Sequence, residues 1–380
     1  MSQLTDLTSS CIRCGFCLES CPTFLLTGQE TESPRGRIYL VRSAEEGAID
    51  WADARPHLEK CLGCRACETA CPSGVHYGEI FELARARLEC ERPNRLKHLM
   101  LNTMTEPGLF KLQLAASKLL GGRVPGIILR QIQNEEGPVT MPAPQVAPPL
   151  DLSDLDHIPV IGEVDLLEGC VMRVLFPGVH VATRRLLRRL GFEVRERDLG
   201  CCGALHAHNG LLDEARRLAR ALPSDLQIVV NSAGCGSWMK DSGVPAIDIS
   251  EFLVQNGLND LLARAKPFEK TITYHDACHL AHGQRATQPP RQLLRSIPGV
   301  KWVELRESDL CCGSAGIYNV TQPQTALELR DRKWANIEAT GAEIVALGNP
   351  GCHAWLLQAP EASQVQVMHT AELLEFVLQG

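Results

Sequence analysis

Eight of the chain's 17 cysteines stand in two copies of one spacing: Cys11, Cys14, Cys17 and Cys21 before Pro22, and Cys61, Cys64, Cys67 and Cys71 before Pro72. Both read CxxCxxCxxxCP, a spacing that holds [4Fe-4S] clusters. Two-residue gaps let the backbone curl around one corner of a cubane, so three successive thiolates reach three irons of one cluster. The proline turn carries the fourth thiolate away, and in two-cluster proteins of this spacing it closes the other cluster. The pattern therefore predicts Cys11, Cys14, Cys17 and Cys71 around one cluster, and Cys61, Cys64, Cys67 and Cys21 around the other. Zinc takes one tetrahedral set per site and has no use for a doubled register of eight.

The 39 residues between Cys21 and Cys61 exceed the short gap of small ferredoxins, which predicts a helical module over a compact β-rich one. Pro34 to Gly47 reads as one of its helices, started by proline, ended by glycine, with Ile38, Leu40 and Val41 buried. Four thiolates on an oxidised cluster leave about two negative charges. Arg13, Arg35, Arg37 and Arg65 are near enough in sequence to compensate them, and solvated surface is an equal reading of each.

So many cysteines belong either to a secreted disulfide scaffold or to a reducing interior where thiolates hold metal. The first residues, MSQLTDLTSS, have neither a basic region nor an apolar core, and no apolar run reaches the roughly 18 to 20 residues that span a bilayer. Metal is favoured, with a cytoplasmic location or contact with a membrane from that side only. The 38 Lys+Arg against 45 Asp+Glu, a net charge of -7, include no basic block for nucleic acid. No GxGxxG or GxxxxGKS loop is present to cradle a nucleotide, and no acid-base pair for removing hydride from an organic substrate stands out. The catalytic residues, if the chain has any, are not identified from its sequence.

Composition shifts along the chain predict four segments: a helical two-cluster ferredoxin-type module over 1–92, a helical segment and Pro-rich linker over 93–157, and two α/β domains over 158–265 and 266–380. Asn94 to Leu120 supplies two apolar-periodic stretches broken at Pro107-Gly108, and the many apolar residues of Leu96 to Ile128 could dock on a partner or membrane surface, with ordinary core packing the default reading. Gly137 to Pro149 has five prolines in thirteen residues and reads as extended linker. Beyond it, apolar runs at Val164–Leu167, Ile228–Val230, Ile272–Tyr274 and Ile344–Leu347 alternate with helical patterns, the mark of α/β structure.

The second half also repeats itself. Cys170, Cys201-Cys202-Gly203, Cys235 and Trp238 return as Cys278, Cys311-Cys312-Gly313, Cys352 and Trp355, at offsets of 108, 110 and 117 residues for the successive cysteine positions. Each copy closes with a capped apolar helix, at Ser250–Leu253 and Thr370–Leu374. Two copies of one domain related by a pseudo-two-fold are the simplest account. Cysteines after successive strands gather four sulfurs at one sheet edge, where ligands of α/β folds bind. That predicts a metal site from Cys170, Cys201, Cys202 and Cys235, and another from Cys278, Cys311, Cys312 and Cys352, with iron-sulfur or zinc both suited to four thiolates.

Cys-Cys-Gly in each half resembles the cysteine-rich (CCG) domain of heterodisulfide reductase subunits, where the motif ends in CxxC and five cysteines hold a non-cubane [4Fe-4S] cluster. Here the last positions are Trp238 and Trp355. With CIRCGFC, PRGRIYL, CLGCRACETACPSGVHY, LEGC, CCGA, LCCGSAG and NPGC in this order, the chain resembles the iron-sulfur subunits of glycolate oxidases. The resemblance implies an electron-transfer subunit that works with FAD-containing 2-hydroxy-acid dehydrogenase subunits and a quinone-type acceptor, itself not catalytic towards the organic substrate. Iron-sulfur subunits of D-lactate and glycerol-3-phosphate dehydrogenases share the layout. A disulfide reductase acting at a CCG cluster is the alternative from another class, and a zinc-stabilised scaffold is a third.

Lesser features read as structural. His275 and His279 flank Cys278 and His353 follows Cys352; each could replace a missing thiolate, with a structural role favoured. His206 and His208 could relay a proton but read as polar loop residues. Cys90, the one cysteine outside the four tetrads, reads as a buried helix thiol.

Overall fold

The computed structural model describes residues 3–119, 143–359 and 363–380. The first part of the expected linker, 137–142, and the end of the 96–128 stretch lie outside these. Among the described residues the N-terminal module is helical: Gln3–Ser9, Pro22–Thr27, Pro34–Glu45, Trp51–Glu59, Ala66–Thr69 and Tyr77–Glu91. Helix Pro34–Glu45 starts where Ser33 Oγ accepts from Gly36 N at 3.0 Å and the proline fills its first turn. Ile38 and Val41 are buried as expected, but Leu40 is only half-buried, and Arg37 takes its place on the buried stripe. Trp51, Tyr77, Ile80, Phe81 and Leu88 complete this module's core. Cys90 is exposed, correcting the expectation of a buried thiol. It lies two residues, about 200° of helix, from the buried Leu88.

Helices Arg95–Thr105 and Pro107–Leu119 follow, divided at Pro107 as the sequence suggests. Their Leu101, Met104, Phe110 and Leu114 join the core of the two repeats. Among the described residues no helix is long and apolar enough to cross a membrane.

The second half forms two all-parallel, four-stranded sheets, giving the α plus α/β architecture read from the sequence. The first contains β1 (Gly162–Leu167), β2 (Phe192–Val194), β3 (Ile228–Val230) and β4 (Ala246–Asp248), in the order β2-β1-β3-β4. The second contains β5 (Thr271–Tyr274), β6 (Lys301–Trp302), β7 (Ile344–Leu347) and β8 (Gln366–His369), in the order β6-β5-β7-β8. In each sheet the chain leaves the first strand for one neighbour and returns to the opposite neighbour. That reversal opens a crevice beyond the carboxyl ends of β1 and β3, and of β5 and β7, the usual ligand position in such sheets.

The repeats pack through equivalent elements with exchanged roles. Helix Pro177–Arg189, which follows β1, lies on Thr370–Gln379, which follows β8, while Gln288–Arg295, which follows β5, lies on Ile249–Gln255, which follows β4. Such reciprocal contact is what a pseudo-two-fold requires. Arg185 Nε and Arg189 Nε reach the two oxygens of buried Glu375 across it, at 2.6 and 2.8 Å. The final helices are capped earlier than expected: Asp248 accepts from Ser250 N at 2.9 Å and His369 Nδ1 from Ala371 N at 3.1 Å.

Candidate metal centres

The eight N-terminal cysteines fall into two groups in space. Cys11, Cys14, Cys17 and Cys71 line one small cavity, with Cys67 at its border. Cys21, Cys61, Cys64 and Cys67 line another. The residues flanking the central cysteine of each motif are left-handed: Arg13 and Gly15 at φ 58° and 91° around Cys14, Gly63 and Arg65 at 65° and 64° around Cys64. Such turns aim successive backbone N–H groups into a concavity that favours an anion, a device common at iron-sulfur sites. Gly63 N points at Cys61 Sγ, 3.4 Å away. Sulfur donors in fours inside N–H-lined pockets fit [4Fe-4S] clusters.

The two groups differ in exposure. Cys14 is exposed and Cys11, Cys17 and Cys71 are intermediate, whereas Cys21, Cys61, Cys64 and Cys67 are all buried. Burial pushes the Cys17 thiol up to about 11. Burial, with Cys278 of the second repeat beside it, also raises Cys64, and Cys64 packs in one buried cluster with Cys278, Cys311 and Cys312 of that repeat.

Arg37 is the residue here whose role its sequence left open. It is 1% exposed. Its Nη2 meets Glu32 Oε2 at 2.7 Å, and Nη1 donates to Glu32 O at 2.7 Å and Thr23 Oγ1 at 3.0 Å, with Cys21 Sγ at 4.0 Å. Nε donates to His57 O at 2.7 Å. Burial opposes its charge, but Cys61, Tyr77, Cys21 and Glu32 together outweigh that and raise its pKa. Arg35 pairs with Glu30 at the surface, Arg13 lies over the Tyr39 ring, and Arg65 ties the module to Asp241 of the first repeat at 2.5 Å.

In each repeat the cysteines sit beyond the strand ends. Cys170 follows β1, Cys201-Cys202 follow β2, and Cys235 lies in helix Ala233–Asp241 after β3; Cys278, Cys311-Cys312 and Cys352 repeat the arrangement. The glycine of Cys-Cys-Gly has a steric reason. Gly203 and Gly313 adopt φ of 91° and 90°, and a Cβ on them would come 2.6 Å from Ala215 O and 2.5 Å from Ala326 O. In the first repeat Cys201 Sγ donates to Cys170 Sγ at 3.6 Å. Interaction between neighbouring thiols lowers the pKa of Cys201, Cys235, Cys278 and Cys312 and raises that of Cys170, Cys202, Cys311 and Cys352, so half of each set is held towards the thiolate a metal needs.

Both sulfur sets line one chamber of about 680 Å³, and Cys61 of the inner N-terminal group lines it too. Trp238 and Trp355 do not; each packs into the core of its own repeat. Arg85 closes one wall, its guanidinium over Phe81 and donating to His208 O at 2.6 Å and Cys61 O at 3.0 Å.

The histidines separate. His353 is buried and packs as a structural residue on Phe176, with centroids 4.1 Å apart, and burial pushes its pKa to about 3. His206, expected in a polar loop, is instead buried in helix Ala204–Ala207, with Nε2 3.0 Å from Asn102 Oδ1. His208 stacks on His279, whose Nδ1 lies 3.8 Å from Cys278 Sγ. His275 alone among them joins a group able to hold a metal ion, with Cys312 and Cys352.

A family model described as a 4Fe-4S dicluster domain matches residues 8–75, and a cysteine-rich (CCG) domain model matches 164–240 and 272–357. The "Probable glycolate oxidase iron-sulfur subunit" of Bacillus subtilis is 33% identical, over 96% of this chain and 93% of that protein. The "Glycolate oxidase iron-sulfur subunit" of Escherichia coli is 31% identical, over 98% and 95%. A subunit of the CoM/CoB fumarate reductase of Methanothermobacter marburgensis is 28% identical, over 98% of this chain and 73% of that one. Two sulfur-lined cavities in an N-terminal helical module, followed by paired Cys-Cys-Gly repeats, agree with these matches along the whole chain, which belongs to the family of glycolate oxidase iron-sulfur subunits.

Proposed function

We propose that this chain carries electrons from a flavin-bearing subunit that oxidises glycolate to glyoxylate towards a quinone-type acceptor. The observation that carries the reading is the serial placement of the sulfur sets. Cys11, Cys14, Cys17 and Cys71 would hold one [4Fe-4S] cluster near the surface, and Cys21, Cys61, Cys64 and Cys67 a second, buried one. Bound there, each cluster supplies one-electron chemistry, the complement of a flavin that takes two electrons from substrate. Cys67 borders both cavities, and Cys61 lines both the inner cavity and the chamber of the paired repeats. Neighbouring sites in the series thus share a wall residue.

The protein's own groups prepare this arrangement. Arg37 and the backbone N–H turns offset negative charge at the thiolates. Leu62 and Ala66 pack with Cys64, Cys278 and Cys311 into one apolar cluster that joins the inner group to the second repeat. Ile12 and Phe16, 69% and 70% exposed on either side of Cys14, form an apolar rim where the flavoprotein would dock.

Purification of a tagged copy from its native host should recover a flavoprotein, and the complex should reduce a dye with glycolate as best substrate. The isolated chain should turn over none of glycolate, D-lactate and glycerol 3-phosphate. Preference of the complex for another hydroxy substrate would assign it to a sister enzyme. Disulfide reduction by the isolated chain, with no flavoprotein recovered, would overturn the reading. In the repeats, Cys202→Ser should remove metal while leaving the ferredoxin-type EPR signals unchanged, with some loss of stability because metal binding also folds such a site. Unchanged metal content would identify the first repeat's sulfurs as plain buried thiols.

A further inference from the structure

The paired repeats differ at one buried position next to their sulfurs. Three residues before the first cysteine stands Leu167 in the first repeat and His275 in the second. Leu167 packs into an apolar core. His275 is fully buried at the carboxyl end of β5, where its backbone N–H donates to Ala346 O at 2.9 Å. Its Nδ1 lies 3.2 Å from Ser308 O. A carbonyl only accepts, so Nδ1 carries the proton and Nε2 the lone pair.

Nε2 has no hydrogen-bond partner. Leaving such an atom buried is costly unless something else occupies its lone pair. A ring nitrogen of His275 and the sulfurs of Cys312 and Cys352 all lie within 4.8 Å of one another. An imidazole that donates one N–H to a backbone carbonyl, keeps a buried nitrogen without a partner and has a ring nitrogen within reach of two cysteine sulfurs is suited to ligate a metal.

We propose that the second repeat holds its metal through His275 Nε2 together with cysteine thiolates, whereas the first repeat, with Leu167 at that place, uses thiolates alone. His279 does not compete for this role, because its ring stacks on His208 and reaches a single sulfur. A neutral imidazole brings one less negative charge than a thiolate. Where His275 takes the place of one of the second repeat's four thiolates on iron, that repeat is the more oxidising of the two sites, as when histidine replaces cysteine at other iron-sulfur centres. The inference rests on the reading that the repeats hold metal, and its test separates the two.

Full-length chain grown with 15N-histidine and purified anaerobically supplies that test, by pulsed EPR for an iron centre and metal-edge X-ray absorption for zinc. The expected result is a 15N coupling, or for zinc a nitrogen shell at about 2.0–2.1 Å. His275→Ala should abolish it and weaken metal retention by roughly 10-fold or more while the ferredoxin-type signals stay. His275→Cys should keep the metal without the nitrogen signal and, for iron, lower its potential. Metal that is lost in Cys312→Ser but shows no nitrogen ligand in the unsubstituted chain overturns the inference and leaves the metal reading intact. Metal unaffected by Cys312→Ser removes both. The unsubstituted chain carries the decisive spectrum, so a variant that fails to fold does not block the test.

Discussion

Arg37→Met should destabilise the N-terminal module by about 3–5 kcal/mol, the cost of breaking a buried ion pair from one side. The guanidinium is buried, and its removal leaves Glu32 in the interior with only His57 and Lys60 beside it while taking hydrogen bonds from Thr23 and two backbone carbonyls. It also removes the positive charge beside Cys21, so cluster retention should fall with stability. Lysine restores the charge but not a planar fork that reaches Glu32, Thr23 and the His57 carbonyl together, and should recover only part of the loss. Arg35→Met, two residues away at a surface pair, should cost about 0–1 kcal/mol. Anaerobic urea denaturation followed by loss of cluster absorbance measures all three. An Arg37→Met variant within about 0.5 kcal/mol of the parent would mean that this arginine behaves as surface.

The contrast between Arg35 and Arg37 marks where the sequence is legible. Motif spacing identifies the ferredoxin-type cysteines because a cluster imposes its own geometry on the backbone, and the same geometry forces the left-handed residues around Cys14 and Cys64. The central strands β3 and β7 are readable as continuous apolar runs because both their faces are covered, and β1 and β5 as short apolar stretches interrupted by Asp165 and by Thr271 and Thr273. The outer strands are not: β6 has only two residues, Lys301 and Trp302, and β2 and β4 have three each, too short to show a period. Charge type conceals Arg37, although its place one residue before Ile38 and four before Val41 puts it on the buried stripe of its helix.

The chamber is legible only in part. The repeat announces that each sulfur set lies at a sheet edge, but not that both sets and Cys61 face one space, since that depends on how the repeats pack about their pseudo-two-fold. Nor does a histidine beside a cysteine declare its role. His353 and His275 look alike in sequence, and only their surroundings, a Phe176 ring for one and Ser308 O with two sulfurs for the other, separate them.

The paired-cluster assignment is tested most directly by iron analysis and EPR on anaerobically purified chain. Two clusters in adjoining cavities that share Cys67 as a border should give at least about eight irons and, on reduction, two [4Fe-4S] signals broadened by mutual magnetic interaction. Cys71→Ser should disturb the cluster of Cys11, Cys14 and Cys17, and Cys21→Ser that of Cys61, Cys64 and Cys67. About four irons, or a single signal free of interaction, would contradict the account.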